Sequence, residues 1–219
     1  MKWIVKIGGS LFPHNARKLL KNLLGENIII IAGGGELADK IREYDHELGF
    51  SDIASHEAAI LSMDIMGILL ADLVKGAKTT HTIKGAKKII KDGKIPVLLP
   101  SRILHYLDPL KHSWKVTSDS IAFYISKLIH ANLLIATNVD GIYTTHPTKS
   151  EAKLINEISA KKLLTFGETA VDEELPKLLL KYKSDCYVAN GKHPQRILSI
   201  IKSTETTYTR IRGDQTWQR

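Results

Sequence analysis

The chain has 219 residues, of which 43% are hydrophobic and 25% charged, a composition typical of a folded globular protein and not of a disordered or fibrous one. This length is enough for one large α/β domain or for two small lobes. The single cysteine, Cys186, excludes an internal disulfide and is compatible with the reducing cytoplasm, where we expect the protein to be located.

The net charge of +8 is compatible with three kinds of partner: nucleic acid, a membrane surface or an anionic small substrate. Aromatic residues make up only 6% of the chain and no stacking or zinc-knuckle signature is present, so we expect no nucleic acid partner. The N-terminus is not typical of a secretory signal, and no apolar run approaches the roughly 20 residues of a membrane span. We therefore expect no membrane partner, and an anionic small molecule is the expected ligand.

Five short apolar runs predict strands that are buried on both faces. They lie at 3–7, 28–32, 95–99, 133–136 and 186–189, and a sixth run at 206–212 predicts an edge strand. Helical patterns lie between them at 16–24, 36–48, 56–75, 83–92, 118–130, 160–166, 174–181 and 194–202. This alternation predicts an α/β fold with a mainly parallel sheet flanked by helices.

The first glycine turn follows the first predicted strand, in the segment Lys6-Ile7-Gly8-Gly9-Ser10. A strand, a glycine turn and a helix in succession direct backbone N–H groups toward a bound phosphate. Lys6 adds a positive charge for the same anion. The alternative is a tight turn that needs glycine only for its backbone conformation.

The second glycine turn, Gly33-Gly34-Gly35, follows the strand predicted at 28–32. It fits the dinucleotide pattern, but Asp52, which has the spacing of the required acid, does not follow a predicted strand. In a parallel sheet both glycine turns lie at the carboxyl ends of the strands. We therefore expect one turn to hold the phosphates of a donor and the other to hold the group that accepts a phosphoryl group.

Two polar segments follow later in the chain. Thr117 or Ser118 is a suitable N-cap, which places Asp119 in the first turn of a helix. There Asp119 either compensates the helix dipole or orients lysines and contacts a substrate. Asp140-Gly141, after the strand predicted at 133–136, is either a simple turn or part of a nucleotide site at a strand end.

Taken in order, these segments resemble the amino acid kinase family, from Trp3 to about Ile197. The resemblance implies an open three-layer αβα sandwich, formed by one domain over 1–219 with an acceptor lobe to about residue 130 and a nucleotide lobe beyond it. It also implies ATP with Mg²⁺ as the phosphoryl donor, transfer of the γ-phosphoryl group to an oxyanion, and a homo-oligomer, most simply a dimer. No residue of the chain is assigned as a metal ligand.

The resemblance also implies roles for individual residues. Lys6 neutralises the phosphoryl group in transfer, and Asp119 organises the catalytic lysines. The second catalytic lysine is Lys177, although Glu173 stands where the family has a glycine. The residues implied to bind the nucleotide are Lys6, Gly8, Gly9, Ser10, Thr137, Asn138, Val139, Asp140, Gly141, Ile142, Tyr143, Asn190 and Gly191.

The segments 33–42, 49–56 and 59–64 resemble a compact archaeal branch of the family. The resemblance implies that the acceptor is [5-(aminomethyl)furan-3-yl]methyl phosphate, which that branch phosphorylates to its diphosphate in methanofuran biosynthesis. Such an acceptor needs an acid for its ammonium group and donors for its phosphate. The candidate acceptor-binding residues are Gly33, Gly34, Gly35, Asp39, Arg42, His56, Asp64, Thr117 and Asp119. Arg42 and His56 also fit ordinary polar positions on helices.

Two other functions stay open at this point. One is an isopentenyl phosphate kinase or another small-molecule kinase of the family, although no histidine directly follows Gly35 as it commonly does in the isopentenyl phosphate branch. The other is a nucleotide-binding regulatory or storage protein without turnover. The presence of both Lys6 and Asp119 favours an enzyme, because binding alone does not require the pair.

Overall fold

The computed structural model describes residues 2–107, 109–167 and 169–213. Its main sheet has eight strands in the order β3-β4-β2-β1-β5-β9-β10-β8, and β6 and β7 form a separate hairpin-like pair. The first six strands of that order are parallel, β10 is antiparallel to β9, and β8 is parallel to β10. The strands are β1 (Trp3–Ile7), β2 (Ile28–Ala32), β3 (Ala77–Thr80), β4 (Ile95–Leu98), β5 (Asn132–Thr137), β6 (Ile142–Tyr143), β7 (Leu154–Ile155), β8 (Glu157–Ser159), β9 (Cys186–Asn190) and β10 (Thr209–Arg212).

Helices cover both faces of this sheet, and each face has its own apolar cluster. The helices are α1 (His14–Asn22), α2 (Gly35–Leu48), α3 (Asp52–Asp72), α4 (Ile83–Lys91), α5 (Ser101–Leu107), α6 (Ser118–Leu128), α7 (Ala160–Leu163), α8 (Leu175–Tyr182) and α9 (Pro194–Ile201), with a 3₁₀ turn at Gly9–Leu11. The mainly parallel α/β sandwich is therefore confirmed. One sheet runs through both halves of the chain, and the division into two lobes near residue 130 stays a prediction.

Strand β1 lies in the interior of the sheet and contributes side chains to both apolar clusters. Ile4 belongs to the apolar cluster that contains α6, whereas Val5 and Ile7 belong to the cluster on the opposite face. Because successive side chains of a strand point to opposite faces, Lys6 lies on the same face as Ile4 and toward α6. Lys6 is thus a buried cation in a strand that is otherwise apolar.

The structure adds elements that the apolar pattern did not predict. Strand β3 was missed because its sequence, Ala-Lys-Thr-Thr, is polar, as is common for an edge strand. Helix α5 has only seven residues, and the short strands β6, β7 and β8 have two or three residues each. The strand predicted at 206–212 is confirmed over its last four residues as β10, but its predicted edge position is wrong, because β10 lies between β9 and the edge strand β8.

Helix α3 corrects one expectation about apolar runs. It has 21 residues and an 18-residue window of mean hydropathy 1.5, so that by length and composition alone it is able to cross a membrane. Nine of its residues are nevertheless buried within the fold, and it packs against α2 and against β2, β3 and β4. Helix α3 therefore contributes buried residues to both apolar clusters of the fold.

Candidate active site

Backbone hydrogen bonds align the polar turns at one edge of the sheet. The N–H of Gly33 donates to the carbonyl of Ile7, and the N–H of Gly8 donates to the carbonyl of Ala136, both at 2.8 Å. The N–H of Gly191 likewise donates to the carbonyl of Thr137 at 2.8 Å. These bonds continue the parallel ladders of β2, β1, β5 and β9 beyond the strands, so that the turns that follow all four strands meet at the carboxyl edge.

The two glycine turns touch each other backbone to backbone. A Cβ atom on Gly9 would overlap the backbone of Gly35, and Gly35 itself has a left-handed φ of +57°. A Cβ atom on Gly34 would overlap the side chains of Ser62 and Ala38. Glycine is therefore required in both turns, because only a backbone without side chains can approach this closely.

Lys6 and Asp119 form a buried ion pair at the centre of this edge. The Lys6 Nζ lies 2.8 Å from the Asp119 Oδ1, and the two side chains are only 10% and 8% exposed. The contact is an ion pair whose geometry lies outside hydrogen-bond limits. Strand β1 and the first turn of α6 thus place opposite charges together, as the sequence suggested for an acid that orients a lysine.

Three different groups converge on Gly33. A Cβ atom on Gly33 would lie 3.1 Å from the backbone N of Gly9, 3.2 Å from the Ser118 Oγ and 3.3 Å from the Lys6 Cε. An amide, a hydroxyl and the end of a cationic side chain therefore line the space that such a Cβ would fill. These groups fit a phosphate oxygen, which takes hydrogen bonds from neutral donors and charge from an ammonium group.

The first turn of α6 carries Asp119, and hydrogen bonds to Asp172, a residue outside the helix, hold this turn in place. Thr117 is the N-cap residue, and its hydroxyl accepts a hydrogen bond from the backbone N–H of Asp119 at 3.4 Å. The partly buried carboxylate of Asp172 accepts hydrogen bonds from both Thr117 and Ser120. Sequence reasoning missed Asp172, because its position before α8 indicates only an ordinary helix cap.

A second polar cluster lies at the ends of β5 and β9. Asp140 Oδ1 accepts hydrogen bonds from Asn190 Nδ2 at 2.8 Å and from the Arg196 guanidinium at 2.7 Å. Burial alone would raise the pKa of Asp140, but the hydrogen bonds from Asn190 and Arg196 and the charge of Arg196 outweigh it and hold that pKa below its ordinary value. Sequence reasoning did not assign Arg196, since nothing in its pattern distinguishes it from a surface residue of α9.

The remaining residues of the predicted nucleotide segment lie between β5 and the β6–β7 pair. Thr137 ends β5 and pairs with Asn190, Asn138 is exposed, and Val139 is half-buried. The hydroxyl of Thr209 accepts a hydrogen bond from the N–H of Ile142 at 2.8 Å. The structure therefore brings the segment and Asn190-Gly191 to one edge. Gly141 is buried, Tyr143 is half-buried, and Ser10 in the first turn is exposed.

A cavity of about 1050 Å³ lies between α3, α5 and the turn that joins β3 to α4. His56 lines this cavity and also a much smaller one against Trp114. Asp64 is buried behind the cavity wall, where its carboxylate accepts hydrogen bonds from the N–H and hydroxyl of Ser101 and lies 3.9 Å from His81 Nδ1. His56 and Asp64 thus lie on the side of the sheet edge that was predicted to bind the acceptor.

Asp39 and Arg42, which were also predicted to bind the acceptor, lie on the exposed side of α2. Asp39 and Arg42 pair with each other at 3.5 Å, and both side chains are about half exposed or more. Arg42 also lies over the ring of Trp114, 4.9 Å from its centroid, and the Trp114 Nε1–H donates to Asp45 at 2.6 Å. The segment that precedes Thr117 is thereby attached to α2, a contact that no local sequence pattern predicts.

Lys177 is not brought together with Lys6 and Asp119. It lies on α8 with its ammonium 2.7 Å from Glu174 Oε2, and its side chain is 49% exposed. Among the described residues, its ion-pair partner is Glu174, on the same helix end, and neither Asp119 nor Asp172. Glu173, at the position of the expected glycine, pairs with Lys115 at 2.9 Å.

Glycine turns, a buried lysine and a polar cluster at the carboxyl edge of a parallel sheet are suited to transferring a phosphoryl group between two anionic ligands. Residues 1–190 match the model of the amino acid kinase family. The chain therefore belongs to the amino acid kinase family, and it is a phosphotransferase that uses ATP.

Individual relatives agree with this assignment. A protein of Methanocaldococcus jannaschii named [5-(aminomethyl)furan-3-yl]methyl phosphate kinase is 43% identical in an alignment of length 217, which covers 96% of this chain and 97% of the relative. The fold is similar to that of uridylate kinase from Archaeoglobus fulgidus, with a TM-score of 0.73, 22% identity and coverage of 96% and 100%. It is also similar to an isopentenyl phosphate kinase, with a TM-score of 0.62, 16% identity and coverage of 96% and 100%.

Proposed function

We propose that the protein transfers the γ-phosphoryl group of ATP to [5-(aminomethyl)furan-3-yl]methyl phosphate and forms its diphosphate. The observation that carries this proposal is the 43% identity, over nearly the full length of both chains, to the M. jannaschii kinase of that name. The buried pair of Lys6 and Asp119 beside two touching glycine turns supports catalysis over simple nucleotide binding.

The proposed step needs little covalent chemistry from the protein. An oxygen of the acceptor phosphate bonds to the γ-phosphorus, and the bond from that phosphorus to the β,γ-bridging oxygen breaks, so that ADP leaves with the electron pair. The attacking oxygen is already anionic, and no general base is required. Alignment and positive charge on the equatorial oxygens are what the site has to supply.

We assign these tasks to the groups around Gly33. The ammonium of Lys6 meets the charge of the phosphoryl group, and Asp119 holds that ammonium in place. The N–H groups of Gly8 and Gly33 are used in strand hydrogen bonds, so the contacts to phosphate oxygens fall to Gly9 and to later N–H groups of the turns. The cluster of Asp140 and Asn190 at the far side is the proposed boundary of the nucleotide.

We place the acceptor between the Gly33–Gly35 turn and the cavity beside α3. His56 lines that cavity, and Thr117 lies at the start of α6, so both remain proposed acceptor contacts. Asp64 remains the proposed source of negative charge for the ammonium end of the acceptor, acting from behind the wall formed with Ser101. Asp39 and Arg42 are the least supported acceptor residues, because they pair with each other on an exposed helix face.

We propose Mg²⁺ as the companion of ATP. Among the described residues, no group of three or more His, Cys, Asp or Glu side chains could hold a metal ion. Mg²⁺ is commonly bound by substrate phosphates together with one or two carboxylates and water, so its binding does not require such a group. When bound, the ion neutralises part of the phosphate charge.

We also propose that the protein is a cytoplasmic homodimer with the exposed face of α3 in the interface. Leu61, Ile65, Ile68 and Leu69 are 47–51% exposed and lie close together on that helix. A contiguous apolar patch of this kind is typical of an interaction surface. Sedimentation should show a dimer for the wild type and a monomer for Ile65→Glu/Ile68→Glu, whereas Leu48→Glu, at an exposed position on α2, should stay dimeric.

The acceptor is tested by measuring kcat/KM for three compounds with the same enzyme and ATP: [5-(aminomethyl)furan-3-yl]methyl phosphate, isopentenyl phosphate and UMP. The proposal predicts that the aminomethylfuran phosphate is preferred over each of the others by at least about 100-fold, because a site built for a polar group rejects compounds that lack it. A preference for isopentenyl phosphate or UMP would overturn the proposed acceptor. Binding of ATP without turnover of any of the three would support a binding protein.

A further inference from the structure

The carboxylate of Asp172 lies between the N-termini of α6 and α8. Its Oδ2 accepts hydrogen bonds from the N–H of Thr117 at 2.9 Å, the hydroxyl of Thr117 at 2.9 Å and the N–H of Ser120 at 3.0 Å. Its Oδ1 accepts from the hydroxyl of Ser120 at 2.6 Å and from the N–H groups of Glu174 and Leu175 at 3.2 and 2.8 Å. One carboxylate therefore takes six hydrogen bonds and joins two helix ends.

These hydrogen bonds come from neutral donors. Among the ion pairs of the described residues, none joins Asp172 to a lysine or arginine. Burial raises the pKa of Asp172, and the nearby charge of Asp119 raises it further, while the hydrogen bonds from Ser120 and Thr117 oppose the rise. A second, partly buried carboxylate near Asp119 costs free energy that a neutral cap would avoid.

The donors to Asp172 bracket Asp119 in the sequence. Thr117 precedes Asp119 by two residues and Ser120 follows it directly, so the Asp172 carboxylate fixes the backbone on both sides of Asp119. Asp119 in turn holds the Lys6 ammonium at 2.8 Å. The chain of contacts runs from Asp172 through the first turn of α6 to the proposed catalytic lysine.

We propose that Asp172 is a positioning residue for phosphoryl transfer, which fixes the first turn of α6 and thereby the place of Asp119 and of the Lys6 ammonium. Asp172 touches no reacting atom in this account and acts only through Asp119. The kinetic part of the inference rests on the proposed function, and the structural part does not.

The test compares Asp172→Asn with Asp185→Asn. Asp185 is a matched control because it also accepts a backbone N–H, that of Gly213 at 3.0 Å, and pairs with Arg210, but it precedes β9 at the opposite edge of the sheet. Both variants should lower the midpoint of urea unfolding. Only Asp172→Asn should lower kcat strongly, by about 100-fold, because a small misplacement of a catalytic group has that effect. KM for ATP and acceptor should change little. An equal loss of kcat in both variants would overturn the proposal.

A double-mutant cycle with Lys6→Met separates positioning from general structural support. If Asp172 acts through Lys6, Asp172→Asn should cause almost no further loss of kcat once Lys6 is removed. The same fold-loss in both backgrounds would contradict the proposal. If Asp172→Asn does not fold, Ser120→Ala removes one of the six hydrogen bonds and should give a smaller loss of kcat with the same dependence on Lys6.

A crystal structure of Asp172→Asn, or of Ser120→Ala in its place, makes the test independent of the acceptor. The proposal predicts that the distance from Lys6 Nζ to Asp119 Oδ1 increases from 2.8 Å to beyond ion-pair range in Asp172→Asn and by less in Ser120→Ala. An unchanged distance would overturn it. Absence of turnover by the wild-type enzyme would instead contradict the proposed function and leave this structural result decisive for Asp172.

Discussion

The Lys6 ammonium and the Asp119 carboxylate are held 2.8 Å apart by two different layers of the fold, a central strand and the first turn of a helix. Lys6 is fixed by strand pairing on both sides, with Ile31 of β2 and Ile135 of β5 as its partners in register. Because neither residue can move without disturbing a core element, the pair offers a preorganised positive charge beside the glycine turns.

Replacing Lys6 tests whether that charge is used in the reaction. We expect Lys6→Met to lower kcat by about 100- to 1000-fold, the usual effect of removing one preorganised group that stabilises the transition state. Steady-state kinetics with ATP and the aminomethylfuran phosphate measure the effect. Lys40→Met, at an exposed position paired with Glu43 on α2, is the control and should retain wild-type rates. A Lys6→Met enzyme with wild-type kcat would contradict the role of Lys6.

Lys177 is expected to matter less than Lys6. Its ammonium pairs with Glu174 and its side chain is half exposed, so Lys177→Met removes a group that lies outside the buried pair. We predict a smaller loss of kcat for Lys177→Met than for Lys6→Met under the same conditions. An equal or larger loss would indicate that Lys177 leaves Glu174 and joins the reacting groups when ATP is bound.

The contact between the glycine turns predicts a strong effect of a single methyl group. A Cβ on Gly9 would overlap the backbone of Gly35, which cannot move aside as a flexible side chain would. We expect Gly9→Ala to lower the free energy of unfolding by about 1–3 kcal/mol and to reduce ATP binding. Urea unfolding and calorimetric titration with ATP measure the two effects.

Gly167→Ala is the control for that substitution, because a Cβ at Gly167 meets open space. Its unfolding free energy and ATP affinity should match those of the wild type within about 0.5 kcal/mol. Normal stability and affinity of Gly9→Ala would show that the two turns separate easily and are not a fixed phosphate site.

The cluster around Asp140 predicts a dependence of stability on pH. The pKa of Asp140 is lower in the folded protein than its ordinary value, despite burial, because Asn190 and Arg196 donate to the ionised form. The resulting stabilisation is present above about pH 4 and is lost as the pH falls through the folded-state pKa. The difference in unfolding free energy between wild type and Asp140→Asn should therefore shrink below about pH 4.

An Arg196→Gln background provides the comparison for Asp140. Without the guanidinium that donates at 2.7 Å, the stabilising effect of the Asp140 charge should be smaller and its loss in acid less pronounced. Urea unfolding of the four proteins between pH 3 and pH 7 measures this. A difference between wild type and Asp140→Asn that is constant with pH would contradict the prediction.

The central strands and the turns after them were predictable, because apolar runs such as 28–32 end in glycine and parallel strands carry their turns to one edge. The residues that connect those turns were not. Asp172 is 52 residues from Ser120, and Asp45 is 69 residues from Trp114, so only the folded chain brings each pair together. The polar edge strand β3 was missed for a different reason, since it lacks the apolar residues that indicate a buried strand.

The most direct test of the account is ³¹P NMR of the products formed from ATP and [5-(aminomethyl)furan-3-yl]methyl phosphate. If the site around Lys6 and Asp119 joins the γ-phosphoryl group to the acceptor phosphate, ADP and a new pair of coupled diphosphate resonances should appear together, in equal amounts, with wild type and not with Lys6→Met. Formation of ADP with inorganic phosphate only, or no consumption of ATP by the wild type, would contradict it.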